Sequence, residues 1–560
     1  MAVIKELPTF KSLATLIKKL MVDLKLIKLS MKQIFIPAII ITLFFAACTS
    51  SNKKSELPPV APRDTSVTAA VSYSDLFLDS ATMEKFIVAQ GYKDSLANRL
   101  RNFYNSRNYQ YAWFSNDGAA ECMNTFYEMY NDYINYSDDS ALKNPELQKL
   151  YDSVNSGNLK ITDSLTAKTE LLFTAQFFRY ARRAYQGNNQ VDAKELDWFI
   201  PRKKIDPSGL LDSLLINKGK NVAAYEPVNQ QYNLLKEQLL KYYAIEKKGG
   251  WPTIAADKKS YRLNDNDAVL TVIKRRLLIT GDLTTGDTST LFTKETETAV
   301  KKFENRFGLK EDGVITTAVI NEMNKPIKDR LQQILINMER IRWMPVAPTT
   351  GYILVNIPEY RLHVYTNGKY DWSMNVVTGS VVHNTVIFSG ALKFVVFSPY
   401  WNITPDIIKA EVIPGMARNK NYLASHNMEW NNGAVRQLPG IKNSLGLVKF
   451  LFPNSYNIYL HDTPAKSLFG ESTRAFSHGC IRLAEPKRMA QYLLRNDAAW
   501  DSLKITKAMN AGKEQYVTLK QTVPVFIGYF TSWVDNDGKL NFRNDVYGHD
   551  KKMAARLFKK

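Results

Sequence analysis

Apolar positions recur at three- and four-residue spacing up to about residue 343, and at two-residue spacing after it. From Ser74 to Ala244 the pattern is helical. Leu171, Ala175, Phe178, Ala181 and Tyr185 predict one apolar helix face, and Gly187-Asn188-Asn189 follows as a stop signal. No group of chemistry-bearing residues interrupts this region, so it reads as a structural scaffold. Gly249-Gly250-Trp251-Pro252 marks a boundary. Residues 268–323 predict short helices with turns between them. Val300, Phe303 and Phe307 share one helix stripe, and Asp312-Gly313 turns the chain. A further helix turns Leu331, Ile334, Leu335, Met338 and Ile341 inward and ends near Trp343, before Pro345.

At Gly351 the period changes to that of a strand. Tyr352–Ile357 and Arg361–Tyr365 are β-rich, and Thr366-Asn367-Gly368-Lys369 predicts a two-residue hairpin turn. More strands are expected at 372–378, 385–387 and 393–397. From Tyr400 to about Leu445 the strand pattern lapses, with a helix expected at 405–411; an insertion of that length inside a β domain reads as a lid over a site. The sheet resumes at Tyr456–Leu460, and 517–519, 523–527 and Tyr529 supply strands that complete it. Trp533-Val534-Asp535-Asn536-Asp537-Gly538 predicts a turn; its acidic run lacks the spacing and the bidentate Glu of a calcium loop. The expected fold class is multidomain α+β: a helical scaffold at 74–250, a small three-helix domain with a linking helix at 251–345, and a mostly β domain at 346–512. That β domain carries a capping insertion at 401–445, and C-terminal strands at 513–560 complete it.

Length supports the division, because 560 residues exceed what one hydrophobic core organises. The net charge of +20 implies an anionic partner or surface. No zinc-finger spacing, P-loop or Arg-rich tract is present, so nucleic acid is not the expected partner. The three cysteines, Cys48, Cys122 and Cys480, are too few and too scattered for a disulfide framework. Cys122 reads as a buried small apolar residue. Lys32 precedes a 14-residue apolar run, Ile34 to Ala47, too short to span a bilayer comfortably. It ends Phe45-Ala46-Ala47-Cys48, which resembles a bacterial lipoprotein signal with Phe in place of the usual Leu. That resemblance implies lipidation of Cys48. Residues 1–30 read as sequence upstream of a true start at Met31. Residues 48–73, with Pro58, Pro59 and Pro62, form a flexible tether. Lipid and tether together imply a membrane-anchored protein in an oxidising compartment, facing the cell wall.

The candidate chemistry is concentrated at one strand-loop-strand junction. His461-Asp462 ends a strand, and after residues 462 to 476 comes Ser477-His478-Gly479-Cys480-Ile481-Arg482. A nucleophilic thiol needs a base or a positive neighbour, since free Cys ionises only near pKa about 8.5. A strand end is a rigid place for that base, and the loop is long enough to return Cys480 beside His461. Gly479 leaves room for a substrate to approach, and the Gly479 and Cys480 N–H groups are candidates for an oxyanion hole. Zinc held by His461, His478 and Cys480 lacks an evident fourth ligand. Papain-like enzymes place Cys before His, and sortase-like enzymes separate His from Cys much further.

The order His, about fifteen residues, then Ser-His-Gly-Cys resembles the signature of L,D-transpeptidases with the YkuD catalytic fold. PGIKNSLGLVKFLFPN, YLHDTPAKSLF, RAFSHGCIRL and the upstream VNIPEYRLHVY resemble the large periplasmic branch, which joins a scaffold, a peptidoglycan-binding domain and a capped catalytic domain. ETETAVKKFENRFGLKEDGVITTAVINEMN resembles the three-helix peptidoglycan-binding domain, with Phe303-Glu304 where Phe-Gln is commoner. The resemblance implies that Cys480 is the nucleophile and His461 its base, oriented by the backbone carbonyl of Asp462. His478 and Ser477 shape the loop, Gly479 and Cys480 form the oxyanion hole, and Arg482 meets loop carbonyls or a substrate carboxylate. It implies crosslinking of diamino-acid residues in peptidoglycan stem peptides, no metal or organic cofactor, acylation of Cys480 by carbapenems, and a periplasmic location. An L,D-carboxypeptidase, a protein-to-wall anchoring transferase and an idle wall-binding scaffold remain alternatives.

Overall fold

The computed structural model describes residues 60–67, 74–93, 95–137, 139–157 and 164–558. The signal-like segment, Cys48 and most of the tether lie outside the described residues. Among the described residues no helix is long and apolar enough to cross a membrane.

The scaffold is built from helices α1 (Ser80–Ala89), α2 (Ser95–Asn105), α3 (Glu121–Ser137), α4 (Pro145–Asn155), α5 (Ser164–Ala181), α6 (Pro207–Ile216) and α7 (Gln230–Lys247). The periodicity of α5 predicts one buried face, but the helix is buried nearly all round. Its polar positions are satisfied internally: Glu170 accepts from Ala112 N at 2.6 Å, Trp113 N at 2.9 Å and the Tyr104 hydroxyl at 2.8 Å. That pairing lets a carboxyl enter the core without losing its hydrogen bonds. Cys122 is buried, and burial pushes its thiol up to about 12, consistent with an inert packing residue.

A three-helix unit follows, with α8 (Val269–Ile279), α9 (Lys294–Phe307) and α10 (Thr317–Met323). Val300, Phe303 and Phe307 are buried as their spacing predicts, and Gly313 turns the chain at φ 74°. Helix α11 (Ile327–Trp343) is the spine of the molecule. Leu331, Ile334, Met338 and Ile341 face inward as expected, Leu335 is only partly buried, and Asn337, Glu339, Arg340 and Arg342 are buried as well. These polar groups tie α11 to its neighbours: Arg342 Nη2 donates to Tyr232 Oη at 2.7 Å in the scaffold, and Arg340 pairs with Asp550 at 2.5 Å.

The β domain contains β1 (Gly351–Asn356), β2 (Arg361–Thr366), β3 (Lys369–Gly379), β4 (Ser389–Phe397), β5 (Val448–Leu451), β6 (Leu460–His461), β7 (Ala475–Ser477), β8 (Ile481–Leu483) and β9 (Gln515–Gly528). Eight of them close into a barrel in the order β3-β8-β6-β5-β4-β9-β1-β2, and β7 adds to the edge of β3. Closure depends on β3 changing partner along its length. Lys369 to Asn375 pair with β2, and Val376 and Val377 pair with β8. The β2–β3 turn is the expected hairpin, with Asn367 at φ 51° and Gly368 at φ 71°. Alternating residues such as Ile353, Val355, Leu362, Val364, Leu460, Ile481 and Leu483 fill the interior.

Three sequence expectations are corrected here. Residues 385–387 are not a strand of the sheet; Ile387 bridges to Trp198 of the scaffold instead. Tyr456 to Tyr459 are not a strand either, because Asn457 takes a left-handed conformation (φ 56°) that breaks extended pairing until Leu460. In the tail only β9 joins the barrel. Ser532–Val534 and Leu540–Phe542 form a separate hairpin around the expected turn, and His549–Leu557 is a helix. The hairpin is bonded to Gln231 of the scaffold and to Arg306 of α9.

The insertion after β4 is not strandless. Trp401–Asn402, Met428–Asn431 and Ala434–Gln437 form a three-stranded sheet. The helix expected at 405–411 is present and continues to Arg418, with a π-helical turn at Ile408–Val412. Pro414 explains the widening: it lacks an N–H, and its ring collides with the carbonyl one turn back. Ile403, Val412 and Val435 form a small core separate from the main one.

Candidate active site

Strands β6 and β8 run parallel, with Leu460 opposite Ile481 and His461 opposite Arg482. One residue earlier the Ile481 N–H donates to Tyr459 O at 3.1 Å, which aligns Cys480 with Tyr459. Leu460 and Ile481 fill the barrel. Side-chain alternation therefore places Tyr459, His461, Cys480 and Arg482 together on the outer surface. This juxtaposition is the centre of the candidate site.

His461 is buried, and its Nδ1 lies 2.5 Å from Asp462 O. The carbonyl can only accept, so Nδ1 carries the proton and Nε2 keeps a free lone pair. Burial, followed by the nearby Arg482 guanidinium, lowers the imidazole to about pKa 3, so the ring is neutral. Burial pushes the Cys480 thiol up to about 11, against hydrogen bonds from Tyr459 that favour the thiolate. The thiol also lies 3.5 Å from Asn457 O. The resting pair is therefore neutral thiol and neutral imidazole.

The Asp462 carboxylate is fully engaged. It accepts from Leu447 N at 2.8 Å, Thr463 N at 2.7 Å and Lys466 Nζ at 2.5 Å. The main-chain carbonyl is thus the part of Asp462 that meets His461. Gly446 passes so close that a Cβ there would meet the Asp462 side chain at 2.4 Å.

The Ser477–Cys480 loop is held from within. The Ser477 hydroxyl donates to Cys480 O at 2.5 Å and accepts from Gly479 N at 3.2 Å. The Gly479 N–H, expected as half of an oxyanion hole, is thereby turned back into the loop. Among the described residues the Cys480 N–H meets no acceptor and is the amide left for an incoming oxygen. Gly479 has φ 107°, a conformation open to glycine and costly for other residues. His478 is half-exposed, 3.4 Å from Glu411 of the insertion, with its ring centroid 5.0 Å from that of His383. Among the described residues Arg482 makes no hydrogen bond to a loop carbonyl, and its Nε is buried without a partner.

Two further residues are not readable from the sequence. Thr385 Oγ1 donates to Gly479 O at 2.7 Å and accepts from Gly379 N at 2.8 Å. The Tyr547 hydroxyl, from the tail, donates to Gly379 O at 2.6 Å and accepts from Thr385 N at 3.3 Å. Together they fix the Gly479 peptide from behind.

With this geometry in hand, comparison with known families is decisive for residues 350–518, which match the L,D-transpeptidase catalytic domain, YkuD. The chain carries the catalytic domain of the L,D-transpeptidase family. Residues 98–239 match the scaffold domain, and residues 267–323 match a family described as "Putative peptidoglycan binding domain". A Haemophilus influenzae protein named "Putative L,D-transpeptidase" is 30% identical over 243 residues, which are 40% of this chain and 49% of that protein. The chain thus spans about half the length of that relative. Among solved structures, an L,D-transpeptidase from Stackebrandtia nassauensis is 17% identical, with TM-score 0.22, over 49% of this chain and 98% of that one. One from Mycobacterium smegmatis is 13% identical, with TM-score 0.19, over 32% and 58%.

Proposed function

We propose that this protein is a murein L,D-transpeptidase that joins diamino-acid residues of neighbouring stem peptides through a Cys480 acyl-enzyme. The supporting observation is the alignment of Cys480 with Tyr459 and His461 on one face of β6 and β8, with His461 Nδ1 tied to Asp462 O. Cys480 Sγ attacks the carbonyl of the diamino acid's L-centre while its proton passes to His461 Nε2. The Cys480 N–H and the Tyr459 hydroxyl receive the developing oxyanion; each such donor is worth about 10²–10³ in rate. The amine of the terminal D-Ala leaves with the proton from His461, and a thioester remains. The side-chain amine of a second stem then attacks the thioester, giving the crosslink and restoring the thiol. Arg482 offers its guanidinium to a stem carboxylate. The capping insertion forms one wall of the groove. Peptidoglycan is the polymer held by residues 267–323, a carbapenem mimics the donor stem, and lipidated Cys48 holds the protein at a periplasmic membrane face.

The test is incubation of the full chain with isolated sacculi, followed by mass analysis of the released muropeptides. New dimers crosslinked between diamino acids, absent with Cys480→Ala, are the expected result. New tripeptides would make the protein a carboxypeptidase, attachment of a protein amine an anchoring enzyme, and an unchanged profile an idle scaffold.

A further inference from the structure

A second concave site lies in the scaffold, apart from Cys480. It is a cavity of about 350 Å³ between the start of α2 and the end of α5, and four guanidinium groups line it: Arg99, Arg179, Arg182 and Arg183. Among the described residues only Arg183 of the four has an acidic partner, Asp139, held at 2.7 and 3.0 Å. Among the described residues, Arg99, Arg179 and Arg182 enter no salt bridge, so the lining carries roughly three uncompensated positive charges. Arg99 lies over Phe178, 5.8 Å from its ring centroid, which limits its retreat into solvent. Burial and then Arg182 act against its charged form, with only Asp206 opposing them. The floor is fixed as well. Asn188 N donates to Glu339 Oε1 at 2.5 Å, and Arg202 donates to Asn188 O at 3.0 Å.

Like charges converging on one cavity repel unless an anion joins them. A carboxylate presents two oxygens in one plane and a single negative charge. A phosphate presents three or more acceptor oxygens and up to two charges, and can meet forks arriving from α2, α5 and the following turn at once. We infer that this scaffold cavity binds a phosphate group, as a monoester or a pyrophosphate, through Arg99, Arg179 and Arg182. The site is independent of the transpeptidase proposal, and failure of either leaves the other standing.

The test is calorimetric titration of the full chain at constant ionic strength with inorganic pyrophosphate, water-soluble short-chain phosphatidic acid and citrate. The expected result is saturable binding of a phosphate probe. Arg182→Gln should weaken it about tenfold or more, as removal of a charge-assisted bond does, while Arg275→Gln, an exposed arginine elsewhere, leaves it unchanged. Binding of pyrophosphate alone assigns a soluble ligand, and binding of phosphatidic acid assigns a lipid headgroup. Without ligand, Arg182→Gln should melt no lower than the parent, because it removes repulsion. If it melts early, Arg99→Gln on α2 carries the same expectation. Absence of binding by both phosphate probes, equal loss in Arg275→Gln, or tighter binding of citrate than of pyrophosphate overturns the inference.

Discussion

Thr385→Val tests whether the buried hydroxyl behind Gly479 positions the nucleophile. The substitution preserves size and removes one oxygen that serves two backbone groups, Gly379 N at 2.8 Å and Gly479 O at 2.7 Å. Thr385 is fully buried, so water cannot replace the lost bonds. Each orphaned group costs about 1–3 kcal/mol, so the variant should be destabilised by about 2–6 kcal/mol. The Gly479 peptide then loses the anchor that aims the next residue, Cys480. Misplacement by about 1 Å can cost about 10² in rate. The second-order rate of carbapenem acylation, followed by intact mass, should fall about 10- to 100-fold at a temperature where circular dichroism shows the variant still folded. A Tyr547→Phe variant, which loses the bond to Gly379 O but keeps Thr385, should fall between parent and Thr385→Val. If Thr385→Val melts early yet acylates at the parental rate, the network stabilises the fold without aiming the thiol, and the positioning argument fails.

Two further predictions concern titration. With His461 lowered to about 3 and Cys480 raised to about 11, the acylation rate should be nearly flat from about pH 5 to 9, since neither partner changes charge in that window; a bell with a limb near neutrality would instead indicate a preformed thiolate–imidazolium pair. Glu304 in α9 is buried, accepts from Gly313 N at 2.8 Å, and is raised to about 7, chiefly by burial. The folded state therefore keeps its proton where the unfolded chain loses it. Stability from this site is full below about pH 4.5, falls as pH rises toward 7, and stays lower above that. Glu304→Gln, which keeps the acceptor without the charge, should recover about 1–3 kcal/mol at pH 8 and change little at pH 4, as read by urea unfolding; equal effects at both pH values would refute the assignment.

The candidate pair was legible because thiol chemistry demands particular residue types at a workable spacing, and His461 and Cys480 meet that demand within one short stretch. Tyr459 was hidden in the same stretch: Tyr456–Leu460 has strand composition, and only the left-handed Asn457 shows that pairing begins at Leu460. Thr385 and Tyr547 left no trace, since their partnership spans 162 residues and depends on the tail folding over the barrel. The Thr-Val-Ile run at 385–387 has genuine β character, but Ile387 spends it on Trp198 of another unit. Periodicity also understated α5 and α11. Pattern reasoning assigns polar residues to the surface, whereas Glu170, Arg340 and Arg342 meet their partners inside.

The capping insertion has its own core; its ends are joined by strand pairing of Phe397 with Val448 and by the buried Asn443, which donates to Pro399 O at 3.0 Å and Leu438 O at 2.9 Å. Its contact with the Ser477–Cys480 loop, His478 against Glu411 at 3.4 Å, is half-exposed. The insertion and the barrel are therefore packed as separate units: the barrel can keep Cys480 and His461 on one face of β6 and β8 while the insertion, with its own core, is reshaped or displaced without disturbing that alignment.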